Sequence, residues 1–125
     1  MLSCMDWRLE VVPVPVSDID AAKDFYCKVG FHLDHDVRPT EQLRIVQLTP
    51  TGSSCSIVLG VVDSPPGSLR GLQLVVTDIE AARAELVERG VEVSEVTELA
   101  QGDGGKFLFF SDPDGNSWNV QEIRG

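Results

Sequence analysis

His32-Leu-Asp34-His35-Asp36 gathers both histidines of the chain and two carboxylates within five residues. These are the residue types that hold divalent metals or move protons near neutral pH. The local context argues against a site. The stretch follows a short apolar segment, Phe31-His-Leu, and reads as a strand giving way to a loop, where only alternate side chains share a face. Solvated loop residues are the expectation. Cys4, Cys27 and Cys55 are odd in number and lack metal-ligand spacing, which reads as free thiols in a reducing compartment. Gly102-Asp-Gly-Gly105 has the glycine density of a phosphate loop. It lacks the preceding strand, the following helix and a Lys-Ser/Thr pair, so a plain loop is expected. Two histidines in one stretch cannot build a Ser-His-Asp or Cys-His arrangement.

The elements that must position any site belong to a chain of 125 residues, 42% hydrophobic and 24% charged, enough for one domain with its own core. Twenty acidic residues against ten basic ones give a net charge of −10 and exclude the clustered Lys and Arg that phosphate neutralisation requires. Nucleic acid is not an expected partner. No apolar run approaches the ~20 residues of a membrane span, and Met1 to Trp7 has no leader-like pattern. A cytoplasmic protein without membrane contact is expected.

An internal repeat organises the chain. Val16-Ser-Asp-Ile-Asp-Ala-Ala-Lys-Asp-Phe-Tyr-Cys-Lys-Val-Gly30 returns sixty positions later as Val76-Thr-Asp-Ile-Glu-Ala-Ala-Arg-Ala-Glu-Leu-Val-Glu-Arg-Gly90. Thr49-Pro-Thr-Gly-Ser53 is mirrored by Asp112-Pro-Asp-Gly-Asn116 at an offset of sixty-three. Two matches in the same order mark a duplicated module, about residues 7–62 and 71–124, with Asp63-Ser-Pro-Pro-Gly-Ser68 in the linker at about 63–70.

Each copy opens with a β-branched run, Leu9–Val16 or Leu72–Val76, read as a strand. A helix follows, capped by Ser17 or Thr77 and stopped at Gly30 or Gly90. Ile19, Ala22, Phe25, Tyr26 and Val29 share one helical face, as packing on a sheet requires. A short strand comes next, Phe31–Leu33 or Val91–Val96, and then a hairpin: Leu43–Thr49 with Cys55–Leu59, or Lys106–Ser111 with Ser117–Ile123. Pro13 and Pro15 remove N–H groups from one edge of the first strand, which should pair through its other edge only.

Two βαβββ modules, a V-x-D-I-x-x-A helix start in each and D-P-D-G-N before the last strand resemble the vicinal oxygen chelate superfamily. That superfamily includes glyoxalase I, the bleomycin-resistance proteins and the extradiol dioxygenases. The resemblance covers about Trp7 to Arg124. It implies an α+β fold in which two tandem βαβββ modules form a curved mixed-sheet cup with helices outside. It also implies a homodimer, with the cup built either within one chain or between two.

Alternation along the strands names the cup-facing residues. Trp118 and Val120 are apolar and assigned to the helix side, which leaves Asn119 and Gln121 for the cup. Leu72, Leu74 and Val76 likewise leave Gly71, Gln73 and Val75. The repeat offsets add Val11, Pro13 and Pro15 on the first strand, and Ser56 and Val58 on the fourth. Glu10 and Glu122 fall off the cup parity and read as exposed or rim carboxylates, and Cys55 as a core thiol. Trp7, Tyr26, Phe107, Phe109 and Phe110 are expected in the core. Either Phe107 with Phe109, or Leu108 with Phe110, must line the cup.

The resemblance implies His, Glu or Gln at four cup positions of metal-binding members. Those positions here hold Val11, Ser56, Gly71 and Asn119, a set with no carboxylate or imidazole. The expectation is therefore a protein without metal or other cofactor and without catalytic residues, which binds a small molecule through neutral polar groups. The acidic surface favours a cationic ligand. The competing expectation is a glyoxalase- or dioxygenase-like metalloenzyme with a rearranged ligand set, using His32 or His35 across a dimer interface.

Overall fold

The computed structural model describes residues 5–99 and 104–124. Cys4, Gly102 and Asp103 lie outside them. The elements are β1 (Val11–Val14), α1 (Ile19–Val29), β2 (Phe31–Thr40), β3 (Leu43–Pro50), β4 (Ser56–Leu59), β5 (Leu72–Val76), α2 (Ile79–Glu88), β6 (Thr97–Glu98), β7 (Lys106–Ser111) and β8 (Ser117–Glu122). They form two four-stranded mixed sheets, β1-β4-β3-β2 and β5-β8-β7-β6, which are the two βαβββ modules. In each, the first strand runs parallel to the last and the remaining pairs are antiparallel. Among the described residues β1 is an edge strand that pairs with β4 alone, as its prolines lead one to expect.

Both helices are capped one residue later than Ser17 and Thr77 suggest. The Asp18 carboxylate accepts from Ala21 N and the Asp78 carboxylate from Ala81 N, each at 3.1 Å. Asp18 and Asp78 have the extended backbone of an N-cap residue, with ψ 104° and 99°. Gly30 ends α1 at φ 119°, the left-handed region that favours glycine. α2 ends at Arg89, with Gly90 turning the chain just beyond.

One apolar core joins the modules. Val14, Val46, Leu48, Ile57 and Leu59 of the first sheet meet Leu108, Phe110, Trp118 and Val120 of the second, with Ala22, Tyr26, Ile79 and Leu86 from the helices. Each sheet turns its helix-bearing face to this shared core. The opposite, open face of each sheet lies on the side away from this core. Trp7 does not join the core; it is 88% exposed, on an extended segment with Met5 and Leu9 also exposed. The first strand accordingly begins at Val11 rather than Leu9. The Val91–Val96 segment anchors Val91 in the core, but only Thr97–Glu98 pairs as strand β6.

The D-P-D-G-N turn locks the modules together. Asp112 Oδ1 accepts from the backbone of Asp114 and Asn116, and Asn116 Nδ2 donates to Asp112 Oδ2 and to Pro15 O at 2.8 Å each. Ser17 donates to Asp114 through both N–H and hydroxyl. In the linker, Gly67 (φ 77°) donates to Pro15 O, and a Cβ there would stand 2.0 Å from Asp114 O. Only glycine fits that approach.

Glu122 is not a rim carboxylate. It is buried, 5% exposed, and accepts from Ile79 N at 3.0 Å, which caps α2 from across the sheet. That backbone hydrogen bond, with Arg124 alongside, holds its pKa below the usual value despite burial. Cys55 is half-buried at the start of β4, outside the apolar core.

Candidate functional site

β2 is a ten-residue strand, and the histidine-rich stretch lies within it rather than in a loop. Antiparallel pairing with the long strand β3 carries it through to Thr40. The register breaks between Leu33 and His35, where Asp34 is the extra residue of a β-bulge. The bulge resets parity. His32 stands opposite Thr49 and His35 opposite Gln47, two β3 residues of equal parity, so both imidazoles share the open face. Strict alternation could not give this result. Asp36 takes the other face, where Arg44 and then Lys23 hydrogen-bond it and hold its carboxyl far below the usual range.

The open face of the first sheet thus assembles polar groups from three strands. The Thr49 hydroxyl donates a short hydrogen bond to Asp34 Oδ2 and lies 2.5 Å from Ser56 Oγ. Gln47 Nε2 reaches Ser56 Oγ at 3.5 Å. His32 Nε2 lies 3.8 Å from Asp34 Oδ1. Val11 and Pro13 of β1 stand beside Ser56 and Val58 of β4. Val58 is buried yet does not belong to the apolar core, as an open-face position demands. Among the described residues no three of His, Cys, Asp or Glu converge to hold a metal ion.

The open face of the second sheet is more apolar. Gln73 pairs with Asn119 and Val75 with Gln121, while Phe109 stands opposite Asn119 and Phe107 opposite Gln121. It is therefore Phe107 and Phe109 that line this face; Leu108 and Phe110 belong to the core. The two rings stack with centroids 6.4 Å apart and planes within 9°. Phe109 is 42% exposed and Val75 54%. Gln73 Nε2 donates to Gln121 Oε1, and Gln121 Nε2 to Gly104 O, both at 2.5 Å. Gly71, just before β5, borders with Phe109, Ser117 and Asn119 a recess of about 310 Å³. Asn119 Oδ1 is buried there and accepts no hydrogen bond from any described residue. Such an acceptor costs free energy until a donor arrives.

A larger cavity, about 380 Å³, opens on the helix side between α2 and the β3–β4 turn. Its rim pair, Arg89 and Glu85, is spent on each other and on Val29 O, so it offers no converging polar set.

The register also revises one equivalence within the repeat. Asn119 sits beside Gln73, and Val58 sits beside Pro13, sixty positions before Gln73. The counterpart of Asn119 is therefore Val58, not Ser56, because the last strand is offset by sixty-one positions between the copies and the turn motif by sixty-three. The four positions become Val11, Val58, Gly71 and Asn119, with one neutral oxygen among them. A divalent metal does not fit this set.

The sequence reading set Asp34 aside as a solvated loop residue and missed Gln47 and Thr49. Gln47 and Thr49 follow from simple alternation along β3. Asp34 needed the bulge, which no motif announces.

The family model described as the Glyoxalase/Bleomycin resistance protein/Dioxygenase superfamily matches residues 8–120. No protein of curated function matches the sequence. Among solved structures, the chain is similar to TnmS3, an antibiotic binding protein from Streptomyces sp. CB03234, with 40% identity, 97% of this chain and 99% of that one covered, and a TM-score of 0.80. A glyoxalase/bleomycin resistance protein from the same organism is 42% identical over 92% of this chain and 100% of that one, with a TM-score of 0.75. A superfamily member from Sphaerobacter thermophilus DSM 20745 is 30% identical over 95% and 99%, with a TM-score of 0.79. The chain belongs to the Glyoxalase/Bleomycin resistance protein/Dioxygenase superfamily.

Proposed function

We propose that this protein sequesters a small, flat organic molecule without a metal ion, as a binding protein of the antibiotic-resistance type. One observation carries the reading. The open face of the second sheet offers stacked Phe107 and Phe109 beside a buried, donorless Asn119 Oδ1, where the metalloenzymes of the family would need ligands. Aromatic faces hold planar rings, and an unsatisfied acceptor orients them. The neutral amides Gln73 and Gln121 add adaptable contacts. The two relatives from Streptomyces sp. CB03234 support the reading, one described as antibiotic binding and one as a glyoxalase/bleomycin resistance protein.

Each open face lies on the side of its sheet away from the shared core, which supports a cup completed by a second copy. The first sheet of one protomer faces the second sheet of its partner, and a homodimer carries two cups. Exposed Val75 and Phe109 fit that arrangement.

Calorimetric titration with acridine, a flat neutral heteroaromatic, tests the reading. Binding should weaken about tenfold in Phe109→Ala, in line with the loss of one ring contact. If acridine and other flat heteroaromatics leave the folded protein silent, the reading fails.

A further inference from the structure

We infer that the ligand meets the first sheet with a cationic hydrogen-bond donor, a protonated amine or amidine, and that Asp34 selects it. The inference rests on the binding reading above and names the ligand's chemistry.

The direction of the hydrogen-bond chain carries the argument. A carboxylate only accepts, so the one proton of the Thr49 hydroxyl goes to Asp34 Oδ2. The contact between Thr49 Oγ1 and Ser56 Oγ must then use the Ser56 proton. Gln47 Nε2 donates behind it. Every proton used in the chain points toward Asp34, while the second Nε2–H of Gln47 and the imidazoles of His32 and His35 stay outside it. The chain ends at a carboxylate, and Asp34 Oδ1 is the charged acceptor it leaves on this face.

That oxygen also has no basic group within hydrogen-bond distance among the described residues; the nearest is His32 at 3.8 Å. Arg44 and Lys23, the neighbouring cations of the module, are engaged by Asp36 and Asp20 on the opposite face. Asp34 is only 22% exposed, so water compensates it incompletely. The second sheet independently shows the same polarity, with Asn119 Oδ1 buried and donorless. Two walls that accept call for a ligand that donates.

The test compares two probes of one shape: 9-aminoacridine, cationic at neutral pH, and acridine, neutral there. Calorimetry at near-physiological salt is run on the wild type, on Asp34→Asn, and on Glu41→Gln, which removes one exposed charge from the β2–β3 turn. Near-ultraviolet circular dichroism confirms each fold. The wild type and Glu41→Gln should prefer the cation at least tenfold, and Asp34→Asn should bring the two probes within about twofold while acridine affinity holds. A preference that survives in Asp34→Asn, or falls equally in Glu41→Gln, overturns the inference, since the long-range field would then be the cause. Acridine binding with no preference in the wild type sinks the inference alone. Failure of both probes to bind sinks the binding reading with it.

Discussion

Tyr26 Oη donates a 2.8 Å hydrogen bond to Asp112 Oδ2 and accepts one at 3.0 Å from Trp118 Nε1, across a seam that joins the first helix to the last hairpin. Burial, and next the Asp112 charge, push the Tyr26 hydroxyl well above its usual pKa, so it remains a neutral donor. The residues that make D-P-D-G-N a recognisable turn thus also fasten one module to the other.

Tyr26→Phe should therefore destabilise the chain by about 1–3 kcal/mol, because it leaves Asp112 and Trp118 each short of a buried partner while the ring packing survives. Urea denaturation followed by fluorescence measures it. A loss within experimental error would show that the seam is held by aromatic packing alone.

Glu122 sets an acid limit. Its pKa is depressed in the folded state, so its contribution is present above the ordinary value of 4.5 and is lost as pH falls through the lower folded value. Glu122→Gln should lower the melting temperature at pH 7 and flatten its decline below pH 4.5 relative to the wild type. Parallel pH curves for the two proteins would refute the capping role.

A cup built from two chains makes a mixing prediction. Toward 9-aminoacridine, Asp34→Asn damages one sheet and Phe109→Ala the other, so each variant alone has only damaged cups. Unfolding and refolding the two together at equal amounts should restore about a quarter of the cups to wild-type affinity, since half the dimers are mixed and each has one intact cup. Absence of any tight-binding fraction would place both faces in a one-chain site.

Much of this architecture was legible in the residues. The repeat gave two modules, and apolar parity in β5 and β8 assigned Leu72, Leu74, Trp118 and Val120 to the helix side, where they are. Parity works there because the strands run without a bulge. In β2 the extra residue at Asp34 reverses the faces, and a charge that reads as solvated becomes part of a polar network. Glu122 misled for another reason. The helix side is apolar except where a helix begins, and its free N–H groups draw in a carboxylate. Trp7 showed that an aromatic is buried only where the chain returns to cover it.

The account stands on binding that needs no metal. Titration of 9-aminoacridine into protein exhaustively treated with EDTA, then supplemented with zinc, nickel or manganese, tests it most directly. The affinity should be the same before chelation, after chelation and after each addition. Binding that disappears with the chelator and returns with one equivalent of a divalent ion would contradict it.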